Sequence, residues 1–261
     1  MSLLENRVCI VTGAAKGIGE AIVRAFAAEG AFVVATDVDL ASLRSVVDSL
    51  PSDHAVAVAH DVSSETQWAN VVDMAARRFG ALDVLVNNAG LCIYASIEEM
   101  TLDQWKALSA VNLEGAFLGT KYGIQAMKDP ARRKDRSASI INMSSVGGLR
   151  GSANLAAYCA TKGGIRLFSK AAAAECGPFN IRVNSIHPGV IDTDMGLSAI
   201  RQRLNKSGGD LNEAQSVGAT NPLGRIGTTT DVANMAVYLA SDASSFVTGA
   251  EFVVDGGLTA R

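Results

Sequence analysis

A tyrosine and a lysine four residues apart, Tyr158 and Lys162, stand in the run AAYCATKGGIRLFSKAAAAE. Its alanines, lysines and long apolar side chains favour a helix. On a helix an i, i+4 pair shares one face. An ammonium that close to a phenol favours the phenolate, so the tyrosine pKa is expected to fall below its reference of about 10. The product is a general acid/base usable near neutral pH. Ser145 precedes the tyrosine by thirteen residues, at the end of the apolar run SIINMSS. Strand ends are where α/β proteins carry functional groups. The same Tyr-x-x-x-Lys spacing also occurs on ordinary solvated helices, so the assignment depends on what the chain places beside it.

The elements that must position these groups alternate along the chain. RVCIVTG, AFVVATD, HAVAVAHD, ALDVLVNNAG, ASIINMSS, IRVNSIHPG and AEFVVDGG read as short, near-continuous apolar strands. Between them lie helical patterns. GIGEAIVRAFAAEG carries Ile18, Ile22, Val23 and Phe26 as its apolar residues, and LASLRSVVDSL is closed by Pro51. In SSETQWANVVDMAARRFG, Ser63 or Ser64 is placed to cap the first free amides. A long helical region over 101–128, broken near Asn112, precedes the Tyr158 helix and DVANMAVYLAS. This alternation is the pattern of an α/β protein whose parallel sheet is covered by helices on both faces. Right-handed crossovers make it a doubly wound (Rossmann) sheet with ligands at the carboxyl ends of the strands. Only 192–229 breaks the rhythm, a long connection with helix-like pieces and a Gly208-Gly209 break. It is expected to act as a lid over the site.

The 261 residues suit one domain, 1–261, that joins dinucleotide binding and catalysis. With 48% apolar and 19% charged residues, a substantial core is available. A net charge of −3 argues against nucleic acid or an anionic membrane surface as partner. No apolar run reaches membrane-spanning length, and the amino-terminal MSLLENRVCIVTG enters a strand directly, without a signal-peptide pattern. Cys9, Cys92, Cys159 and Cys176 have neither Cys-x-x-Cys spacing nor histidine partners. They read as reduced thiols in a cytoplasmic protein without a metal site. Cys159 follows the tyrosine, yet no histidine is placed to activate it. The basic cluster ARRKDR lies in the charged connection 129–137, which has no assigned role and reads as solvated.

Every other group of chemical interest follows a strand. Gly13, Gly17 and Gly19 in TGAAKGIG lie between the first strand and first helix, where glycines let backbone and helix start approach a diphosphate. Asp37 ends the second strand, where a carboxylate can accept both hydroxyls of an adenosine ribose. Taken alone, it could equally cap the next helix. Asp61 ends the third strand, Asn87-Asn88-Ala89-Gly90 the fourth, and His187-Pro188-Gly189-Val190 the sixth. His187, beside proline at a strand end, reads as a packing residue.

Jointly, TGAAKGIG, Asp61, NNAG at 87–90, Asn112, Ser145, Tyr158, Lys162 and PGVIDT at 188–193 resemble the short-chain dehydrogenase/reductase family over essentially the whole chain. The resemblance implies Tyr158 as catalytic acid/base, Ser145 as the hydroxyl holding the substrate oxygen, and Lys162 as the group that lowers the tyrosine pKa and binds the nicotinamide ribose. It implies that Asn112 helps hold a water linking the lysine to solvent. Gly13, Gly17 and Ile18 would contact the diphosphate region, Asp61 and Val62 the adenine, and Asn88, Ala89 and Gly90 the adenosine side. Pro188, Gly189, Val190 and Thr193 would approach the carboxamide. Ser144 is set aside, because the family spacing selects Ser145. A homotetramer on the helices beginning near 111 and 158 is also implied, the latter presenting the alanine run 171–174.

Two signals on the cofactor conflict. Lys16 could meet the 2′-phosphate of NADP, whereas Asp37, followed by Val38 in place of an arginine, would repel it. The direct carboxylate clash outweighs one solvated lysine, so NAD is expected. KAAAAECGPFNIRVNSIHPGVIDTDM and FVVDGGLTA are similar to dehydrogenases of cyclic secondary alcohols and hydroxysteroids. Leu91, Ile93, Tyr94, Leu149, Met195 and Leu197 form an apolar candidate pocket suited to a rigid ketone. The expected activity is NAD-dependent interconversion of a secondary alcohol and its ketone. The alternatives are a 3-oxoacyl thioester reductase using NADPH and a dinucleotide-binding regulator without turnover.

Overall fold

The computed structural model describes residues 2–51, 53–128, 137–207 and 221–260, with the backbone alone over 203–207. The middle of the expected lid and nearly all of the 129–137 connection lie outside the described residues. Seven strands, β1 Val8–Thr12, β2 Phe32–Asp37, β3 Ala55–Ala59, β4 Val84–Asn87, β5 Ala138–Met143, β6 Ile181–Pro188 and β7 Glu251–Val254, form one sheet in the order β3-β2-β1-β4-β5-β6-β7. Every pairing is parallel. The order reverses between β1 and β4, which opens a crevice at the carboxyl ends of the strands.

Alternate residues of each strand serve opposite faces. Cys9, Val11, Val33 and Ala35 pack with Ile22, Val23 and Phe26 of α1 (Gly17–Ala28), Leu43 of α2 (Leu40–Asp48) and Val232. Val8, Ile10, Val34 and Leu85 pack the other face with Trp68 and Val71 of α3 (Glu65–Phe79). The near-continuous apolar strands therefore reflect two cores, one on each side of the sheet. α4 (Leu102–Leu108) opens with a reciprocal Thr101–Gln104 capping box. It runs through a π-helical turn, Ser109–Glu114, into α5 (Gly115–Lys128). This turn is the expected break, and it carries Asn112 inward.

α6 (Ala156–Cys176) bears Tyr158 and Lys162, α7 (Asp194–Ser207) begins the 192–229 stretch, and α8 (Thr229–Ala240) follows a second capping box, Thr228–Asp231. Ser64 occupies the N-cap position of α3, but its side chain makes no capping bond. Its hydroxyl pairs instead with Thr66, while Ser63 donates to Asp61. At the opposite, amino-terminal rim of the sheet the buried charges are structural. Arg7 reaches the Ser137 carbonyl at 2.9 Å and Asp242 at 2.5 Å. Arg182 donates to the carbonyls of Leu239 and Ser241.

Candidate active site

The first strand ends in a turn that only glycine can close. Gly13 has φ +64°, and a Cβ there would lie 2.8 Å from the Ala89 Cα. A Cβ on Gly19 would lie 2.0 Å from the Gly13 carbonyl oxygen. The turn is thus folded against the start of α1 until no side chain fits between them. Asn88 braces it, donating from Nδ2 to the carbonyls of Thr12 and Gly13, while its amide takes the Thr12 hydroxyl as acceptor at 3.0 Å. The N-cap of α1, Lys16, supplies no side-chain capping bond, which leaves the helix start open to an anion. A diphosphate fits this cradle.

Asp37 is not a helix cap. Its Oδ2 accepts the Ala15 amide and its Oδ1 the Asp39 amide, both at 3.0 Å, and Asp39 caps α2 through the Ser42 amide. Each Asp37 oxygen keeps acceptor capacity toward the cavity, in an orientation fixed by two amides. Lys16 Nζ is not free beside it. The ammonium pairs with Asp194 of α7 at 3.1 Å across the mouth of the site. One strand over, Asp61 accepts the hydroxyl and amide of Ser63, which hold its carboxyl below the usual range. Val62 is buried, its carbonyl fixed by the Trp68 indole at 2.8 Å. Next to them, burial pushes the His60 imidazole down to about 4.

At the other end of the crevice stand Ser145, Tyr158 and Lys162. Ser145 Oγ accepts the Gly147 amide at 3.1 Å, and its hydroxyl faces the Tyr158 phenol closely enough to favour the phenolate. Ser144 is turned away, donating to the Lys162 carbonyl at 2.9 Å. Lys162 Nζ donates to the Met143 carbonyl at 2.8 Å and lies 5.7 Å from the centre of the Tyr158 ring. The expected fall of the tyrosine pKa is reversed in this environment. Burial pushes the phenol up, the Ser145 hydrogen bond opposes it only in part, and burial takes the Lys162 ammonium down to about 8. Desolvation, absent from any spacing argument, outweighs the i, i+4 attraction.

Asn112 does not line the cavity. It is buried behind the wall, where Oδ1 accepts the Leu91 amide at 2.7 Å and Nδ2 donates to the Leu91 carbonyl and to Thr161. It ties the end of the NNAG segment to α6, and its Oδ1 and Lys162 Nζ both approach Gly90.

These groups surround one cavity of about 1440 Å³, and each of the other residues expected in catalysis or cofactor binding lines it, whereas Gly19 and Asn87 do not. On the substrate side Leu91, Tyr94 and Met195 are on the wall, whereas Ile93, Leu149 and Leu197 are not among the described lining residues. Val146, Leu155 and Ile200 take their places, with Cys92 beside Tyr158 and Arg150 at the rim. The wall is therefore less uniformly apolar than the sequence suggested. His187, expected only to pack, lies under Ser145, 42 residues away in sequence.

A family model described as enoyl-(acyl carrier protein) reductase matches residues 13–259. An NADP-dependent (R)-specific alcohol dehydrogenase of Lentilactobacillus kefiri is 43% identical over 99% of this chain and 98% of its own. A 3-alpha-(or 20-beta)-hydroxysteroid dehydrogenase of Mycobacterium tuberculosis is 42% identical, covering 98% of this chain and 91% of that protein. Among solved structures, a short-chain dehydrogenase/reductase of Brucella melitensis, titled glucose/ribitol dehydrogenase, superposes with a TM-score of 0.88 at 33% identity, covering 98% of each chain.

Proposed function

Since the chain belongs to the short-chain dehydrogenase/reductase family, we propose that it is an NAD-dependent dehydrogenase interconverting a cyclic, hydroxysteroid-like secondary alcohol and its ketone. The observation that carries this reading is the convergence of Ser145, Tyr158 and Lys162 at one end of a cavity whose other end is a diphosphate cradle. The nicotinamide dinucleotide, when bound, supplies or accepts the hydride. Gly13, Gly17 and Ile18 would hold its diphosphate, Asp37 its adenosine ribose, and Asp61 and Val62 its adenine. Asn88, Ala89 and Gly90 would lie along its adenosine side, and Pro188, Gly189, Val190 and Thr193 would approach its carboxamide.

The chain's own part of the chemistry is the proton. In reduction Tyr158 donates its phenolic proton to the carbonyl oxygen while Ser145 holds that oxygen by a hydrogen bond. In oxidation the phenolate takes the proton back. Lys162 sets a positive charge beside the phenol and would hold the nicotinamide ribose. Asn112 fixes Leu91 and Thr161 about the lysine and would seat a relay water through Oδ1. The pH dependence follows with its sign. Burial holds the phenol above its usual value, so oxidation, which needs the phenolate, is expected to accelerate as pH rises through the alkaline range. Initial rates of alcohol oxidation across that range check this, and a rate falling as pH rises contradicts it.

Relatives named for alcohol and hydroxysteroid substrates support the substrate class, and Leu91, Val146, Leu155 and Met195 offer the apolar walls a ring needs. The family model's description keeps an acyl-thioester reading in play. A screen of ring alcohols with NAD, beside a 3-oxoacyl thioester with NADPH, separates the two. NADH formed from the ring alcohols supports the dehydrogenase, and turnover confined to the thioester arm replaces it. Cofactor binding without any turnover would mark a regulator. The 192–229 stretch, begun by α7, is assigned to closing the site.

Assembly as a homotetramer on α5 and α6 completes the reading. Phe117 and Leu167 are exposed on those helices, and light scattering should report four chains, a monomer contradicting it. No described helix is long and apolar enough to cross a membrane. The four free cysteines suit a reducing cytoplasm.

A further inference from the structure

The hydroxyl of Ser145 can hold a substrate oxygen only if the backbone that carries it is fixed, and His187 sits directly beneath that backbone. The ring is fully buried at the end of β6. Its Nδ1 lies 3.1 Å from the Ser145 carbonyl oxygen and its Nε2 2.9 Å from Ser185 Oγ. A carbonyl oxygen only accepts, so Nδ1 must carry the hydrogen. In the neutral ring Nε2 then accepts from the Ser185 hydroxyl. Both nitrogens are satisfied by that one tautomer, which fixes the ring against β6 and aims its single N–H at Ser145.

The β5–β6 ladder ends just short of this point. Its last register pair is Met143 with Ile186, followed by the Ser144 amide donating to the Ile186 carbonyl at 2.8 Å. At Ser145 the side chain of His187 takes over where main-chain pairing stops. Among the described residues the Ser145 carbonyl has one other donor, the Gly148 amide at 2.8 Å, which belongs to the short turn Val146–Gly148 and would move with it. His187 therefore couples the serine to the rigid sheet, while Gly148 couples it only to its own turn.

We propose that His187 is a positioning residue for the reaction, holding the Ser145 main chain so that its hydroxyl stays aimed at the substrate oxygen. The proposal rests on the role given to Ser145 above. The two amide substitutions separate its nitrogens. In His187→Asn the side-chain NH₂ can occupy the place of Nδ1 and still reach Ser145, whereas in His187→Gln the amide extends toward Ser185. His187→Leu removes both bonds. Misplacing a catalytic group by a fraction of an ångström is expected to lower kcat by about tenfold or more. That loss should appear in the Leu and Gln variants, with Asn retaining about a third or more of wild-type kcat.

The test measures kcat, the dissociation constant of NADH by fluorescence titration, the melting temperature, and the activity of Ser145→Ala in parallel. The proposal expects low kcat for Leu and Gln, rescue by Asn, and NADH affinity unchanged in all three. It is overturned if His187→Leu keeps near wild-type kcat while Ser145→Ala loses activity. It is equally overturned if all three variants lose kcat and NADH affinity together, which marks a role in the fold alone. Activity retained by Ser145→Ala would instead remove the reading on which the proposal stands.

Discussion

Tyr158→Phe is expected to lower turnover by about a thousandfold, within the range a positioned acid/base contributes, and to leave NADH affinity nearly unchanged. The ring stays, and with it the packing beside Cys92 and Ser145; only the transferable proton is lost. The cradle that would hold the dinucleotide lies elsewhere in the cavity, at Gly13, Gly17 and the start of α1. Lys162 differs in this respect, because it is assigned both to the phenol and to the cofactor ribose, so its loss should affect kcat and affinity together. Steady-state kinetics with a fluorescence titration of NADH separates the two cases. A Tyr158→Phe variant that kept most of its activity would show that another group moves the proton.

Asp37→Ser is expected to shift the ratio of NAD to NADP efficiency by about a hundredfold towards NADP. The carboxylate is held by the Ala15 and Asp39 amides with acceptor capacity to spare. Two charge-assisted bonds to ribose hydroxyls are worth about 1.5–3 kcal/mol each. Set against a 2′-phosphate, the same carboxylate repels. Lys16 can return little of this, because its exposed ammonium is already engaged by Asp194 and such pairs contribute about 0–1 kcal/mol. The wild-type chain should accordingly favour NAD by about tenfold or more in kcat/KM. The similarity to an NADP-dependent alcohol dehydrogenase makes this a sharp test. Equal efficiencies with the two cofactors in the wild-type chain would mean that the lysine escapes Asp194 and dominates.

The groups legible in the sequence are those fixed by their place in the chain. Gly13, Asp37, Asp61, Asn88 and Ser145 each follow a strand, and a parallel sheet delivers every strand end to one rim, so their meeting in one cavity needed only the alternation of elements. The features that were not legible depend on distance in space. The sign of the Tyr158 shift is set by burial, which no i, i+4 spacing reveals. Lys16 meets Asp194 across 178 residues, so its engagement could not be read beside Asp37. The break near Asn112 was visible, but the π-helical turn that carries the side chain behind the wall was not. His187 is buried, as its place beside proline implies, but its bond to Ser145 arises only where the β5–β6 ladder ends. Of the six side chains that suggest an apolar pocket in the sequence, Ile93, Leu149 and Leu197 fall outside the described lining.

The central claim is direct hydride exchange between a carbinol carbon and a nicotinamide dinucleotide, with the proton handled by Tyr158. It is tested most directly by incubating the protein with NAD and a ring secondary alcohol deuterated at the carbinol carbon, then weighing the reduced cofactor by mass spectrometry. The account predicts NADH that carries the deuterium in the wild-type protein and essentially none formed by Tyr158→Phe. Reduced cofactor without the label, or equal labelled product from both proteins, would contradict it.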